Sequence, residues 1–261
     1  MKYYVVDAFA EKVFGGNPAG VCVLEGPMDS ELMQKIAAEN NLSETAFVLK
    51  KSRGSYDLKW FTPKSEINLC GHATLGTAFV VSNFVDPGIE IMDFSTLSGI
   101  LRVARTGSTY TMDFPALMPK LVDIPADLSD ALGVPVVQTY LERDLVVLLE
   151  DESVVRSMVP DFSRLCRLEE GLGVIVTARG LDCDFVSRCF YPKLGVDEDP
   201  VTGSAHSYLA PLWGMKLSKK VLVGKQLSER GGVVHCELIG DRVKLRGKAV
   251  LYLQGDLLIG C

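Results

Sequence analysis

The chain reads as an α+β protein of two similar halves, each a barrel of strands wrapped around one central helix. Three observations point there. First, a strand–turn–helix segment occurs twice. Phe61-Thr62-Pro63-Lys64 is followed six residues later by Cys70-Gly71-His72-Ala73-Thr74, and Phe190-Tyr191-Pro192-Lys193 is followed at the same spacing by Asp199-Pro200-Val201-Thr202-Gly203-Ser204. The offset is 129 residues in a chain of 261. Second, many short runs rich in Val, Ile, Phe and Tyr are bounded by Gly, Pro, Asp or Ser, as strands are. Third, the helical segment after Gly71 is apolar almost all round (Ala73, Leu75, Ala78, Phe79, Val80, Val81), which suits a helix enclosed by strands.

The elements follow in order. Strands are expected at residues 2–8, 19–24, 45–50, 56–61, 89–94, 99–104 and 109–114. A helix from about Ser30 to Asn40 follows an N-cap at Asp29, with Leu32 and Ile36 at helical spacing and Ala37 on the buried side. The buried helix starts near Gly71 and runs to about Ser82. Pro115 to Pro125, with three prolines, reads as a linker. This divides the chain into domains 1–115 and 116–261, with the last strand able to return to the first. The second half opens with a helix near 127–132, then strands near 136–141, 144–149, 173–178 and 184–190. A second buried helix begins near Thr202 and runs to about Met215, and strands follow near 220–225, 232–238, 242–248 and 250–258.

Composition narrows the function. Hydrophobic residues make up 48% of the chain, with mean hydropathy +0.20, enough for buried cores. A net charge of −6 and a pI near 5.2 argue against nucleic acid as a partner. Lys216, Lys219 and Lys220 form the densest basic cluster and read as a solvated helix end. No apolar run approaches a membrane span, and Met1-Lys2-Tyr3-Tyr4-Val5-Val6 looks like a first strand and not a signal peptide. A soluble cytoplasmic protein is expected. The seven cysteines (Cys22, Cys70, Cys166, Cys183, Cys189, Cys236, Cys261) contain no Cys-x-x-Cys pair, and the three histidines no metal-ligand spacing. Neither a disulfide framework nor a metal is expected, and burial is the default for the thiols other than Cys70. The nucleotide fingerprints Gly-x-Gly-x-x-Gly and Gly-x-x-x-x-Gly-Lys-Ser/Thr are not found where such sites need them.

The duplication places two helix N-termini in matching positions. Their unpaired N–H groups and partial positive charge suit an anionic small molecule, all the more if the halves face each other across a cleft. Glu44, at a helix–strand junction, sits where partial desolvation tunes a carboxyl group for proton transfer; an ordinary solvated strand start is the plainer alternative. Gly71 allows close backbone approach to a ligand, and His72 can donate to an anion or shuttle a proton, with the helix end favouring neutral imidazole. Asp199 is a second proton-handling carboxylate or simply a partner of the helix dipole. Thr202 or Ser204 caps its helix, and Ser204 can bind an anion through its hydroxyl and N–H. Cys70 opens a different chemistry, because a thiol at a helix N-terminus has a lowered pKa. A two-thiol racemase needs a facing cysteine, and the matching position of the repeat is Asp199.

These residues, taken in order, resemble the phenazine-biosynthesis PhzF-like family of isomerases. The resemblance rests on Asp7-Ala8-Phe9, Phe14-Gly15-Gly16-Asn17-Pro18-Ala19-Gly20-Val21, Asn41-Leu42-Ser43-Glu44-Thr45-Ala46-Phe47, Trp60-Phe61-Thr62-Pro63, Leu69-Cys70-Gly71-His72-Ala73-Thr74-Leu75-Gly76 and Glu198-Asp199-Pro200-Val201-Thr202-Gly203-Ser204-Ala205. It implies a diaminopimelate epimerase-like fold of two pseudo-symmetric domains with the active site between them, and a homodimer. It also implies isomerisation without a cofactor, as of a cyclic dihydro-hydroxyanthranilate in the family's founding activity. Glu44 matches the proton-transferring acid/base. His72 and Asp199 match residues that position substrate and acid, and Gly71 and Ser204 match groups that bind substrate or relay protons. Two other readings stay open on this fold: a racemase or epimerase of an amino or hydroxy acid, and a non-catalytic binding protein.

Overall fold

The computed structural model describes residues 1–259. The chain divides into two compact units, Met1–Asp113 with Arg246–Cys261, and Phe114–Leu245.

The first unit opens with the antiparallel pair β1 (Lys2–Ala8) and β2 (Asn17–Leu24). Helix α1 (Ser30–Asn40) follows, then β3 (Glu44–Ser52), β4 (Ser55–Phe61) and the short β5 (Glu66–Ile67). Helix α2 (Gly71–Val80) runs into a widened turn at Val81–Val85, and β6 (Ile91–Thr96), β7 (Gly99–Thr106) and β8 (Thr109–Pro115) complete the run. The second unit contains β9 (Lys120–Val122), α3 (Leu128–Leu132), β10 (Gln138–Leu141), β11 (Leu145–Leu148), α4 (Glu152–Ser157), α5 (Phe162–Arg167), β12 (Val174–Arg179), β13 (Phe185–Tyr191) and β14 (Val196–Asp199). Then come α6 (His206–Leu217), β15 (Val221–Gln226), β16 (Gly232–Ile239) and β17 (Arg242–Gly247), and β18 (Ala249–Asp256) pairs with β1 in the first unit.

The strand pairings carry the duplication. In the first unit β2 runs parallel to β3, β3 antiparallel to β4, β4 parallel to β6, and β6 antiparallel to β7. In the second, β11 is parallel to β12, β12 antiparallel to β13, β13 parallel to β15, and β15 antiparallel to β16. Even the register repeats. Thr45 pairs with Phe61, and Val174, 129 residues on, pairs with Phe190. Each unit closes with a strand that follows a chain crossing: β18 lies against β1, and β9 against β10.

Hydrophobicity explains where the helices go. From His72 to Val80 every residue of α2 except Phe79 is buried, so the helix has no polar face to show to water. Its threonines turn their hydroxyls back onto the helix, Thr74 onto the Cys70 carbonyl and Thr77 onto the Ala73 carbonyl, so the interior holds no stranded hydroxyl there. The helix α1 is amphipathic. Met33, Ile36 and Ala37 pack on Tyr3, Val5, Cys22 and Phe47, and Asp29 caps it by accepting from the Glu31 N–H. In the second unit Leu128, Leu132, Val155 and Leu165 from the short helices cover Val147, Val174 and Val176. Each fully buried side chain of this kind contributes about 1.5–3 kcal/mol.

The structure corrects several expectations. The stretch 115–125 contains β9, whose ladder with β10 is built from Lys120, Leu121 and Val122. The second buried helix starts at His206 and not near Thr202, because residues 203–205 form a tight turn with i→i−3 hydrogen bonds from His206, Ser207 and Tyr208. Neither Thr202 nor Ser204 caps it: the N-cap is Ala205, and no side chain bonds there. Cys22, Cys189 and Cys236 are buried as expected, but Cys166 is exposed and Cys183 half-buried; Cys70, read as an activated thiol, is buried as well, and Cys261 lies outside the described residues. Among the described residues no helix is long and apolar enough to cross a membrane.

His206, fully buried at the start of α6, has its Nδ1 2.8 Å from the Thr202 carbonyl oxygen. A carbonyl only accepts, so Nδ1 carries the proton. Burial pushes the His206 pKa down to about 4. An unfolded imidazole titrates near 6.5, so the unfolded chain takes up a proton that the folded chain refuses between these values. The stability from neutral His206 is therefore complete above about pH 6.5 and is lost as the pH falls toward 4, roughly 3 kcal/mol in all. Urea denaturation of wild type and His206→Gln is expected to show their stability difference shrinking by about that amount from pH 7 to pH 4. A difference independent of pH would contradict this account of His206.

Candidate active site

Two elements of the first unit bring the expected acid and histidine together. Helix α1 ends at Asn41, which adopts the left-handed conformation (φ 49°) and returns its N–H to the Ala37 carbonyl. Asparagine tolerates that conformation, so the chain turns within Leu42-Ser43 and starts β3 at Glu44. On the other side α2 begins at Gly71, with Cys70 as its N-cap and no side chain bonded across its first turn. His72, the second residue of α2, is 4% exposed.

The Oε2 atom of Glu44 lies 3.0 Å from Nε2 of His72, and the side chains are 17% and 5% exposed. The two atoms are at ion-pair distance but outside hydrogen-bond alignment, and neither has another hydrogen-bond partner among the described residues. A small rotation of either group closes that bond or opens it to a third molecule. The other ring nitrogen, Nδ1, has two neighbours: Nδ2 of Asn17 at 3.1 Å and Sγ of Cys70 at 3.6 Å. Burial presses His72 toward neutrality, Glu44 draws it toward a second proton, and Cys70 would do the same only as a thiolate. The helix end alone would favour the neutral ring, so Glu44 acts against it.

Cys70 behaves differently from a thiol at an exposed helix end. Burial raises its pKa, and Glu44 raises it further, outweighing the lowering by His72 and the Ala73 N–H. It is a neutral thiol at physiological pH. Glu44, Cys70 and His72 offer three ligand-type atoms within 4.8 Å of one another.

The second unit holds the other expected residues. Asp199 ends β14, and its Oδ2 accepts from the Thr202 hydroxyl at 2.5 Å. Gln226, 1% exposed at the end of β15, clamps this loop. Its Nε2 donates to the Asp199 carbonyl at 2.7 Å, and its Oε1 accepts the Thr202 N–H at 2.8 Å. Ser204 sits half-buried in the turn before α6, accepting the Ser207 N–H through its carbonyl. Thus Glu44, Gly71 and His72 gather in the first unit with Asn17 and Cys70, while Asp199 and Ser204 belong to the second with Thr202 and Gln226. Sequence reasoning assigned no role to Asn17 or Gln226. Asn17 had one signal, its place in the Gly15-Gly16-Asn17-Pro18 segment; Gln226 had none.

Comparison with known proteins identifies the family and the fold. The family model described as phenazine biosynthesis-like protein matches residues 6–255. The chain belongs to the phenazine biosynthesis-like family. Two uncharacterized isomerases of Pseudomonas aeruginosa are 47% and 49% identical to it, over 97% and 98% of both chains. The crystal structure of a PhzF family protein from Enterococcus faecalis superposes with a TM-score of 0.95 at 50% identity, covering 97% of each chain. The isomerase expected from sequence is what the relatives' names describe. A structure described as a probable proline racemase from Agrobacterium radiobacter, at 9% identity and a TM-score of 0.67 over 99% of this chain and 93% of that one, shares the fold alone. The fold is the diaminopimelate epimerase-like one.

The state of the thiols is open to a direct check. With iodoacetamide at neutral pH, peptide mapping should find Cys166 alkylated early and Cys70 intact until the protein unfolds. Alkylation of Cys70 as fast as Cys166 would show an accessible thiolate and contradict the assignment of a buried thiol.

Proposed function

We propose that this chain isomerises a small carboxylic acid by moving one proton, and with it a double bond, with Glu44 as the acid/base. The contact of Glu44 with His72, 3.0 Å across two buried atoms, carries this reading. A carboxylate beside an imidazole, with a free lone pair and little water, is equipped to take a proton from an acidified carbon and hand it back at another. The relatives' isomerase names and the racemase-like fold support chemistry of that class.

The helix ends support an anionic substrate. The surface helices α1, α4 and α5 are capped by Asp29, Asp151 and Asp161. The two buried helices, α2 and α6, have neither a side-chain cap nor an acidic residue in the first turn, as the five-residue α3 also lacks a cap. The first N–H groups of α6 are taken up by the carbonyls of residues 203–205, whereas those of α2, with Gly71 at the first position, suit the carboxylate of a substrate.

In the proposed cycle the substrate carboxylate docks at such N–H groups. Glu44 removes the proton from the adjacent carbon, the electrons shift toward the carboxylate, and the carboxyl group of Glu44 returns the proton to a different carbon. His72 orients Glu44 through Nε2. The resemblance assigns Asp199 and Ser204 to positioning the substrate and relaying protons, and Thr202 and Gln226 keep Asp199 in one orientation. Every step uses groups of this chain. General acid–base catalysis of this kind contributes about 10²–10⁴ in rate, with positioning and preorganised charge adding the rest. A racemase reading would draw on Cys70 or Asp199 as the second base, and the raised pKa of Cys70 weakens that residue in the role.

Hydrogen exchange in heavy water, followed by NMR over a panel of small carboxylic acids that includes cyclic dihydro-hydroxyanthranilate and amino acids, tests the reading. Wild type should incorporate deuterium into one class of compound, and Glu44→Gln should lose about 10²–10⁴ of that rate. Undiminished exchange by Glu44→Gln would remove Glu44 as the base.

A further inference from the structure

Asn17, the first residue of β2, is fully buried, and the turn that delivers it is unusual. Between β1 and β2 both Phe9 and Phe14 have positive φ, 59° and 71°. The Phe14 N–H is held by the buried Asp7 carboxylate at 2.8 Å. Gly16 has φ +63°, and a Cβ there would lie 2.1 Å from the Ala8 carbonyl oxygen. Bulky residues in the left-handed region cost on the order of 1–3 kcal/mol each, and such strain persists only where the surroundings over-determine it. This turn ends with the Asn17 amide nitrogen 3.1 Å from Nδ1 of His72, across 55 residues of sequence.

An amide nitrogen can only donate, so Nδ1 of His72 must present its lone pair to it. A neutral imidazole has one N–H. With Nδ1 accepting, that proton sits on Nε2, the nitrogen 3.0 Å from Glu44. A second proton could enter only at Nδ1, where it would meet the Asn17 N–H head-on. The titratable groups acting on the ring are Glu44 and Cys70. Glu44 draws it toward the imidazolium. Cys70 would do so only as a thiolate, and burial keeps it a thiol.

We propose that Asn17 is a positioning residue that fixes His72 as the neutral Nε2–H tautomer, so that the ring offers Glu44 one N–H donor without placing a full positive charge beside it. A carboxylate next to an imidazolium is a poorer base, because the opposite charge favours its ionised form. Asn17 thereby preserves the basicity that proton abstraction needs. This consequence rests on the isomerase reading above; the tautomer itself does not.

The test needs no substrate, so its failure is distinguishable from failure of the isomerase reading. The ring nitrogens of His72 are read from ¹⁵N NMR at pH 7, with signals assigned by their loss in His72→Gln. Wild type is expected to show a protonated Nε2 and an unprotonated Nδ1. Asn17→Asp has the same shape but offers only acceptors, and it is expected to convert His72 to the doubly protonated ring. Protonated Nδ1 in the wild type, or a wild-type pattern that persists in Asn17→Asp, would overturn the proposal. Should Asn17→Asp not fold, the wild-type spectrum alone decides.

Discussion

The contact between Glu44 and His72 sets the terms for the first unit. It requires the first residue of a strand and the second residue of a helix to arrive within 3.0 Å although 28 positions separate them in the chain. That demands a short, definite exit from α1, met by Asn41 in the left-handed conformation, and a helix α2 whose axis is held by strands around it. The apolar sequence of α2 supplies the hold. A helix with no polar face has one stable location, and strands β1, β2 and β3 provide it. The proposed function depends on burial: the same enclosure that stabilises α2 keeps water from the imidazole and leaves the carboxylate with few partners.

The two units share a pairing scheme and differ in what it presents. In the first, the helix start carries a histidine between an acid, a thiol and an amide. In the second, the matching segment carries Asp199, tied to Thr202 and Gln226 by hydrogen bonds of 2.5–2.8 Å. Its helix begins several residues later, at His206. His206 is neutral because it is buried without a charged partner, whereas His72 is contested between burial and Glu44. One architecture therefore yields one histidine fixed in its charge state by solvation and another poised by its surroundings, and the poised one faces the acid.

Much of this was legible in the chain. The duplication at 129 residues was visible in Phe61-Thr62-Pro63 and Phe190-Tyr191-Pro192, and it reappears in the register of Thr45 with Phe61 and Val174 with Phe190. Helix α1 and its Asp29 cap were legible because capping and amphipathic spacing are local. Helices α4 and α5 were not, since six residues are too few to establish a period. Thr202 resembled a cap because hydroxyl residues often are one, yet its hydroxyl bonds to Asp199. Cys70 was read as an activated thiol from its helix position, and burial, which no local pattern reports, reverses that sign. Glu44 and His72 were singled out by their places at a strand start and a helix start, and the family resemblance gave them roles; Asn17 stood in the resembling segments without a role, because its partner lies 55 residues away.

The central claim is that Glu44 and His72 act as one unit. A double-mutant cycle on the heavy-water exchange rate, with Glu44→Gln, His72→Gln and the pair, tests it most directly. Groups that act together lose their combined effect once either is removed, so the account predicts that the double variant is scarcely slower than Glu44→Gln alone. Losses that multiply, each substitution lowering the rate by its own factor regardless of the other, would show two independent residues and contradict the claim.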